Sequence, residues 1–112
     1  MPKLSKKAQN DLILNEIEKW NTIFVDLDET RKEVAQELIE RVAFMTIQLE
    51  ILEEKIKSKG SVVTFKQGTQ KMEIESPAQK SYNTMINRYT AAYGKLIELA
   101  GKIEDKGDGD DV

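Results

Sequence analysis

Cysteine and histidine are both absent from the 112 residues of this sequence. Their absence excludes Cys/His zinc sites, thiol nucleophiles, disulfide frameworks and Ser-His-Asp relays, which leaves carboxylates as the candidates for catalytic chemistry. Aromatic residues make up 6% of the chain and proline occurs twice, whereas charged residues make up 33%. This composition is typical of a surface-rich helical protein, and a chain of this length is expected to form one domain.

Long hydrophobic segments are also absent. No apolar run approaches the roughly 18 residues of a transmembrane helix, and the amino-terminal residues lack the apolar stretch of a signal peptide. We therefore expect a cytoplasmic protein that has no membrane partner.

The net charge of −3 conceals an uneven distribution along the chain. Residues 1–54 carry a net charge of −5, residues 55–97 one of +6, and residues 98–112 one of −4. Part of the positive charge lies in a stretch without any acidic residue, which contains Lys55, Lys57, Lys59, Lys66 and Lys71. Two interpretations remain open: the lysines keep an exposed turn soluble and prevent edge-to-edge strand pairing, or they form a surface for phosphate groups.

The first helical pattern begins after Ser5, whose hydroxyl suits an N-cap. Its three- and four-residue spacings place these apolar residues on one face: Leu12, Ile13, Ile17, Trp20, Ile23 and Phe24. We expect Trp20 and Phe24 to fill the core against the next helix. Stacking of Trp20 on a nucleic-acid base is the alternative.

Two longer helical patterns follow. The first of them starts at Asp28 as N-cap, repeats apolar residues at three- and four-residue spacings from Val34 onwards, and ends at Gly60. The other starts at Ser76-Pro77, a favourable cap and first helical residue. The apolar seam that we expect to form the core or a subunit interface consists of Leu38, Val42, Met45, Leu49 and Leu52 in the second helix and Tyr82, Met85, Tyr89, Leu96 and Leu99 in the third.

A second apolar stripe widens the apolar face of the third helix. It consists of Ile86, Tyr93, Ile97 and Ala100. One partner helix covers only one face, so we infer a further contact, with another subunit as the candidate. The three tyrosines of this helix are expected in the core or at that interface, with base stacking as the alternative.

Residues 61–75 change from helical periodicity to alternation, with a turn at Gln67-Gly68, and predict a two-stranded β-hairpin. The predicted fold is mainly α: a long antiparallel helical hairpin with a small β-hairpin at its tip and a short amino-terminal helix, in an oligomer. We divide the chain into an amino-terminal amphipathic helix at 1–27, an oligomerisation core at 28–103, and an acidic, glycine-rich tail at 104–112 that we expect to be disordered.

Clusters of carboxylates occur at Glu50, Glu53 and Glu54 and at Asp26, Asp28 and Glu29. Catalysis by paired carboxylates needs a concave site, and metal sites usually add histidine or a ligand from another element. Neither requirement is visible here, and the glycines do not form a phosphate-binding loop. We expect a protein that is not an enzyme, with no catalytic residue, cofactor or metal.

The order of these elements over about residues 16–100 resembles the small terminase subunit of tailed double-stranded DNA bacteriophages. The matching motifs are Glu18-Lys19-Trp20 before the long second helix, Lys59-Gly60-Ser61-Val62-Val63-Thr64 at its end, Gln67-Gly68 in the turn, and Ser76-Pro77-Ala78 at the start of the third helix. The family commonly has asparagine where this chain has Ser76, and a tail with proline and arginine where this chain is acidic.

The resemblance implies a non-catalytic, ring-forming subunit in the cytoplasm of a bacterial host, which binds viral DNA and passes it to a large terminase with ATPase and nuclease activity. The candidate DNA-binding residues are the five lysines of residues 55–71 and a second set, Lys3, Lys6 and Lys7. The alternative function is that of a dimeric or tetrameric helical-hairpin interaction module with no nucleic-acid role, in which the lysines only confer solubility.

Overall fold

The computed structural model describes the backbone of residues 4–110 and the side chains of residues 4–103. It contains three helices and one antiparallel two-stranded sheet, which confirms the prediction of a mainly helical fold with a β-hairpin. In chain order the elements are α1 (Lys6–Ile23), α2 (Glu29–Lys59), β1 (Val62–Gln67), β2 (Gln70–Glu75) and α3 (Pro77–Asp110). Within the described residues, no helix combines the length and the apolar character that crossing a membrane requires.

The ends of the helices follow from local capping chemistry. The side-chain oxygens of Ser5, Asp28 and Ser76 each accept a hydrogen bond of 3.0 Å from the backbone N–H three residues later. Each cap satisfies an N–H group that has no partner within the helix. Gly60 ends α2 with a φ of 87°, a conformation that favours glycine. These four predicted boundaries are confirmed.

Helix α1 folds back along α2, and α3 runs antiparallel to α2. Near the β-hairpin, the hydroxyl of Tyr82 donates a 2.9 Å hydrogen bond to Glu53, which joins the start of α3 to the end of α2. Gln48 of α2 donates a 3.0 Å hydrogen bond to Gln9 of α1. The buried core lies towards the other end of the molecule and consists of Trp20, Phe24, Leu27, Ala35, Ile39, Val42 and Leu96.

The molecule is strongly elongated. Its principal extents are 73, 28 and 19 Å, and its radius of gyration is 19.2 Å, against about 13 Å for a compact chain of this length. A 34-residue helix such as α3 is about 51 Å long and a six-residue strand adds about 20 Å. A β-hairpin that extends the pair of long helices along their common axis therefore accounts for the 73 Å extent.

The β-hairpin has two chemically different faces. Val63 pairs with Ile74 and Phe65 with Met72 on one face, whereas Lys66 pairs with Lys71 on the other. The turn lies at Gly68 and Thr69, one residue later than the predicted Gln67-Gly68, because Gln67 still pairs with Gln70. Gly68 has a φ of 63°, which is the left-handed conformation that such a turn requires.

Several sequence expectations differ from the structure or are extended by it. Val34 was expected in the seam of α2 but is 60% exposed, because α2 buries Ala35 and Ile39 instead. Leu12 and Ile23 were expected on the apolar face of α1 but are 38% and 48% exposed. In the second stripe of α3, Tyr93 meets α1 of the same chain, with its ring 5.7 Å from that of Trp20, whereas Ile97 is 50% exposed.

A further difference concerns the carboxyl-terminal end of the chain. The expected disordered tail begins at residue 104, but α3 is helical as far as Asp110. Residues 111 and 112 of the expected tail lie outside the described residues.

Candidate nucleic-acid interface

The first set of candidate lysines lies at one end of the molecule. Lys55, Lys57 and Lys59 are in the last two turns of α2, and Lys66 and Lys71 are in the β-hairpin that follows. All five side chains are exposed. We call this set the tip lysines. Their position at a projecting end makes them accessible to a large, charged partner.

Two of the tip lysines oppose each other directly. Lys66 and Lys71 are register partners across β1 and β2, so their Cβ atoms are about 5 Å apart. Like charges at such positions destabilise a sheet. The acidic residues of the same face, Glu73 and Glu75, lie towards the base of the β-hairpin, and no ion pair in the described part of the chain involves either lysine. The outer half of this face is therefore positively charged.

The remaining tip lysines have partly structural roles. Lys57 forms an ion pair of 3.5 Å with Glu54. Lys57 and Lys59 also lie in the last turn of α2, where positive charge interacts favourably with the helix dipole. Lys55 and Lys59 have no ion pair among the described residues. The charge of at least part of this cluster is therefore not compensated within the chain.

The second set of lysines is described only in part. Lys3 lies outside the described residues, whereas Lys6 and Lys7 are exposed in the first turn of α1. Lys7 forms an ion pair of 3.0 Å with Asp11. The hydrogen bond between Gln9 and Gln48 places this turn beside the carboxyl-terminal half of α2. Lys6 and Lys7 therefore lie beside α2, the helix that leads to the tip lysines.

Four aromatic residues of α1, α3 and the turn after α1 pack against one another. Trp20 is 7% exposed, stacks on Phe24 at 5.9 Å and meets the edge of Tyr93. Tyr89 in turn stacks on Tyr93 at 5.6 Å. The expectation that Trp20 fills the core is confirmed, and its burial removes the base-stacking alternative for this residue.

The pKa of Tyr82 is raised above its usual value. The main cause is the hydrogen bond from its hydroxyl to Glu53, and burial of the hydroxyl contributes further.

The predicted seam lies largely between α2 and α3. Val42, Leu49 and Leu96 are buried. The other seam residues are half-buried: Leu38, Met45, Leu52, Tyr82, Met85, Tyr89 and Leu99.

Several residues of the two acidic clusters have partners within the chain. Asp28 caps α2 and also pairs with Arg31 at 3.1 Å, Glu53 accepts from Tyr82, and Glu54 pairs with Lys57. In the described part of the chain, no group of three or more acidic side chains is placed to hold a metal ion.

A groove between α2 and α3 was not predicted from the sequence. Its volume is about 1000 Å³. Phe44, Met45 and Met85 supply its apolar surface, and we call it the α2/α3 groove. Its charged lining residues are Glu37, Glu40, Arg41, Lys80 and Arg88. The sequence feature that could have indicated this groove is Phe44, an aromatic residue of α2 that lies outside the predicted seam.

Comparison of the chain with protein-family models, with curated proteins and with solved structures gives no match in any of the three.

Proposed function

We propose that this protein is a non-catalytic DNA-packaging subunit of the small terminase type. In this proposal it forms a ring, binds double-stranded viral DNA in the cytoplasm of a bacterial host, and recruits or regulates a large terminase that supplies the ATPase and nuclease. The observation that carries the proposal is the cluster of exposed tip lysines at the projecting end of the molecule, which includes the directly opposed Lys66 and Lys71.

The opposed lysines favour an anionic partner. Placing two ammonium groups across one strand pair costs free energy in the isolated β-hairpin, and a phosphate group between them would remove this cost. Phosphate contacts of this kind position a protein on DNA without reading its sequence. The expected binding is therefore weak for a single chain and strongly dependent on salt.

The surface area supports assembly. The accessible surface of the chain is 8406 Å², whereas a compact monomer of its mass exposes about 6,300 Å². The excess of roughly 2,100 Å² exceeds the two patches of about 800 Å² each that a ring subunit contributes to its two neighbours. In a ring, the tip lysines repeat with the symmetry and their fields add, so that a few charges per chain become a continuous basic band.

A charge-reversal variant tests the DNA-binding part of the proposal. We expect Lys66→Glu/Lys71→Glu to weaken binding of duplex DNA in fluorescence anisotropy and to reduce the slope of log K against log salt concentration by about two per engaged subunit. The matched control is Lys95→Glu/Lys102→Glu, which makes the same change in net charge at exposed sites of α3 far from the tip. Equal loss in both variants, or none in the first, would show that the tip does not contact DNA.

The helical-hairpin interaction module remains the second candidate. It is favoured by the ion pair of Lys57 with Glu54 and by the position of Lys57 and Lys59 at the negative end of the α2 dipole, both of which explain basic residues without DNA. Two measurements separate the candidates: the mass of the assembly by light scattering, and DNA affinity at two salt concentrations. A dimer or tetramer without affinity for DNA would favour the module.

A further inference from the structure

The α2/α3 groove lies on the side of the helical pair that faces away from the aromatic contact with α1. Thr84 lines the groove and is nine residues from Tyr93, which places the two about 180° apart around α3. Tyr93 is the residue of α3 that meets Trp20 of α1. The pair of long helices therefore carries α1 on one side of α3 and an uncovered groove on the other.

The charged residues of the groove form no ion pair with any side chain that the structure describes. Arg41, Lys80 and Arg88 exceed Glu37 and Glu40 by one positive charge. A groove with an apolar base and one net positive charge along its sides suits an amphipathic helix with a small excess of negative charge.

The exposed side of α1 offers one large apolar residue, Leu14, among polar residues with a small excess of negative charge. Five exposed residues follow one another on this side at spacings of four and three. We call them the outer stripe of α1, which consists of Lys7, Asp11, Leu14, Glu18 and Asn21. Leu14 is 56% exposed at the middle of the stripe, and the stripe carries one net negative charge. The stripe is about 21 Å long and the α3 side of the groove, from Lys80 to Ala92, is about 18 Å long.

We propose that the α2/α3 groove of one chain receives the outer stripe of α1 from a second copy of this chain. The groove and the stripe are different surfaces of one molecule, so the contact is heterologous and each chain can use both surfaces at once. Repetition of such a contact closes into a ring when the rotation allows. The inference rests on the proposed function, because it assigns the surfaces through which the proposed ring forms.

The excess surface agrees with a contact of this kind. Each chain contributes one groove and one stripe, and two patches of about 800 Å² each would cover most of the roughly 2,100 Å² by which the chain exceeds a compact monomer. An isologous groove-to-groove contact would cover only one patch per chain and would leave Leu14 exposed.

Substitutions on the two surfaces test the inference. Leu14→Asp should damage the stripe and Arg88→Glu the groove, and both sites are exposed, so the isolated chain should remain folded by circular dichroism. Ile23→Asp is the matched control, because Ile23 is 48% exposed and lies nine residues from Leu14, about 180° around α1. We expect at least a tenfold rise in the half-assembly concentration for the first two variants and less than a threefold change for the control.

Mixing provides the decisive measurement. Leu14→Asp retains an intact groove and Arg88→Glu an intact stripe, so each alone should be a monomer by light scattering, whereas their equimolar mixture should form a dimer. Phe44→Asp serves as a second groove variant. If groove variants dissociate the assembly and Leu14→Asp does not, α1 is not the occupant and the inference is wrong, while the proposed ring survives. A monomeric wild-type chain would overturn the proposed ring together with this inference.

Discussion

A single substitution in the β-hairpin should change stability and DNA binding in opposite directions. Lys71→Glu converts the opposed pair of Lys66 and Lys71 into an attractive pair. At about 6 Å in water, two unit charges interact with about 0.7 kcal/mol, of which about half remains at physiological ionic strength. Reversing the sign of this interaction should therefore stabilise the paired strands by about 0.7 kcal/mol.

Amide hydrogen exchange measures this effect locally. A stabilisation of about 0.7 kcal/mol corresponds to about threefold slower exchange of the amides of β1 and β2 when they exchange by opening of the β-hairpin. The same variant should bind DNA more weakly than the wild-type chain, because it removes one cation and adds one anion at the tip. The double variant Lys66→Glu/Lys71→Glu restores a like-charge pair, so its exchange should return towards that of the wild-type chain while its DNA affinity falls further.

Comparison of the wild-type chain with the single and the double variant distinguishes the effect of tip charge on DNA binding from the effect of β-hairpin stability. If DNA affinity followed the exchange protection of the β-hairpin and not the charge of the tip, the electrostatic argument would be refuted. Unchanged exchange in Lys71→Glu would refute the claim that the opposed lysines are strained in the isolated chain.

Two further predictions concern the helical core. Leu96 is fully buried, so Leu96→Ala should lower the free energy of unfolding by about 3 kcal/mol in urea denaturation. The neighbouring Ile97 is 50% exposed, and Ile97→Ala should cost less than about 1 kcal/mol; comparable losses would contradict the assigned core. The pKa of Tyr82 is raised in the folded state by Glu53 and burial, so its contribution to stability is present below the usual tyrosine pKa and is lost as the pH rises through the folded-state value. Tyr82→Phe should be less stable at neutral pH and should lose less stability than the wild-type chain in alkaline titration followed by circular dichroism.

The helix boundaries were predictable because their causes are local. A cap such as Ser5 or Asp28 acts on a backbone N–H only three residues away, and Gly60 accommodates its own positive φ. The β-hairpin was predictable for the same reason, since alternation and a glycine turn are contained within 15 residues. The turn was placed one residue early because adjacent strand registers differ little in local sequence preference.

The packing faces were harder to predict. Helix α2 has apolar residues on more than one side, and the sequence alone favoured a single seam that included Val34. In the folded chain, α1 packs on α2 beside that seam, so that Ala35 and Ile39 are buried and Val34 is exposed. Apolar periodicity identifies a face of a helix but does not identify which of two partner helices covers it.

For the candidate site too, some features could be predicted from the sequence and others required the structure. The sequence alone determined that the chain lacks cysteine and histidine chemistry, that its positive charge is concentrated after residue 54, and that two long helices flank a β-hairpin. The opposition of Lys66 and Lys71 follows from the local register of the β-hairpin. Only the tertiary structure decided that α1 packs beside the carboxyl-terminal half of α2 and that a groove remains open between α2 and α3. The physical reason is range: caps and turns are set by neighbours within a few residues, whereas these arrangements depend on contacts between residues as far apart as Gln9 and Gln48.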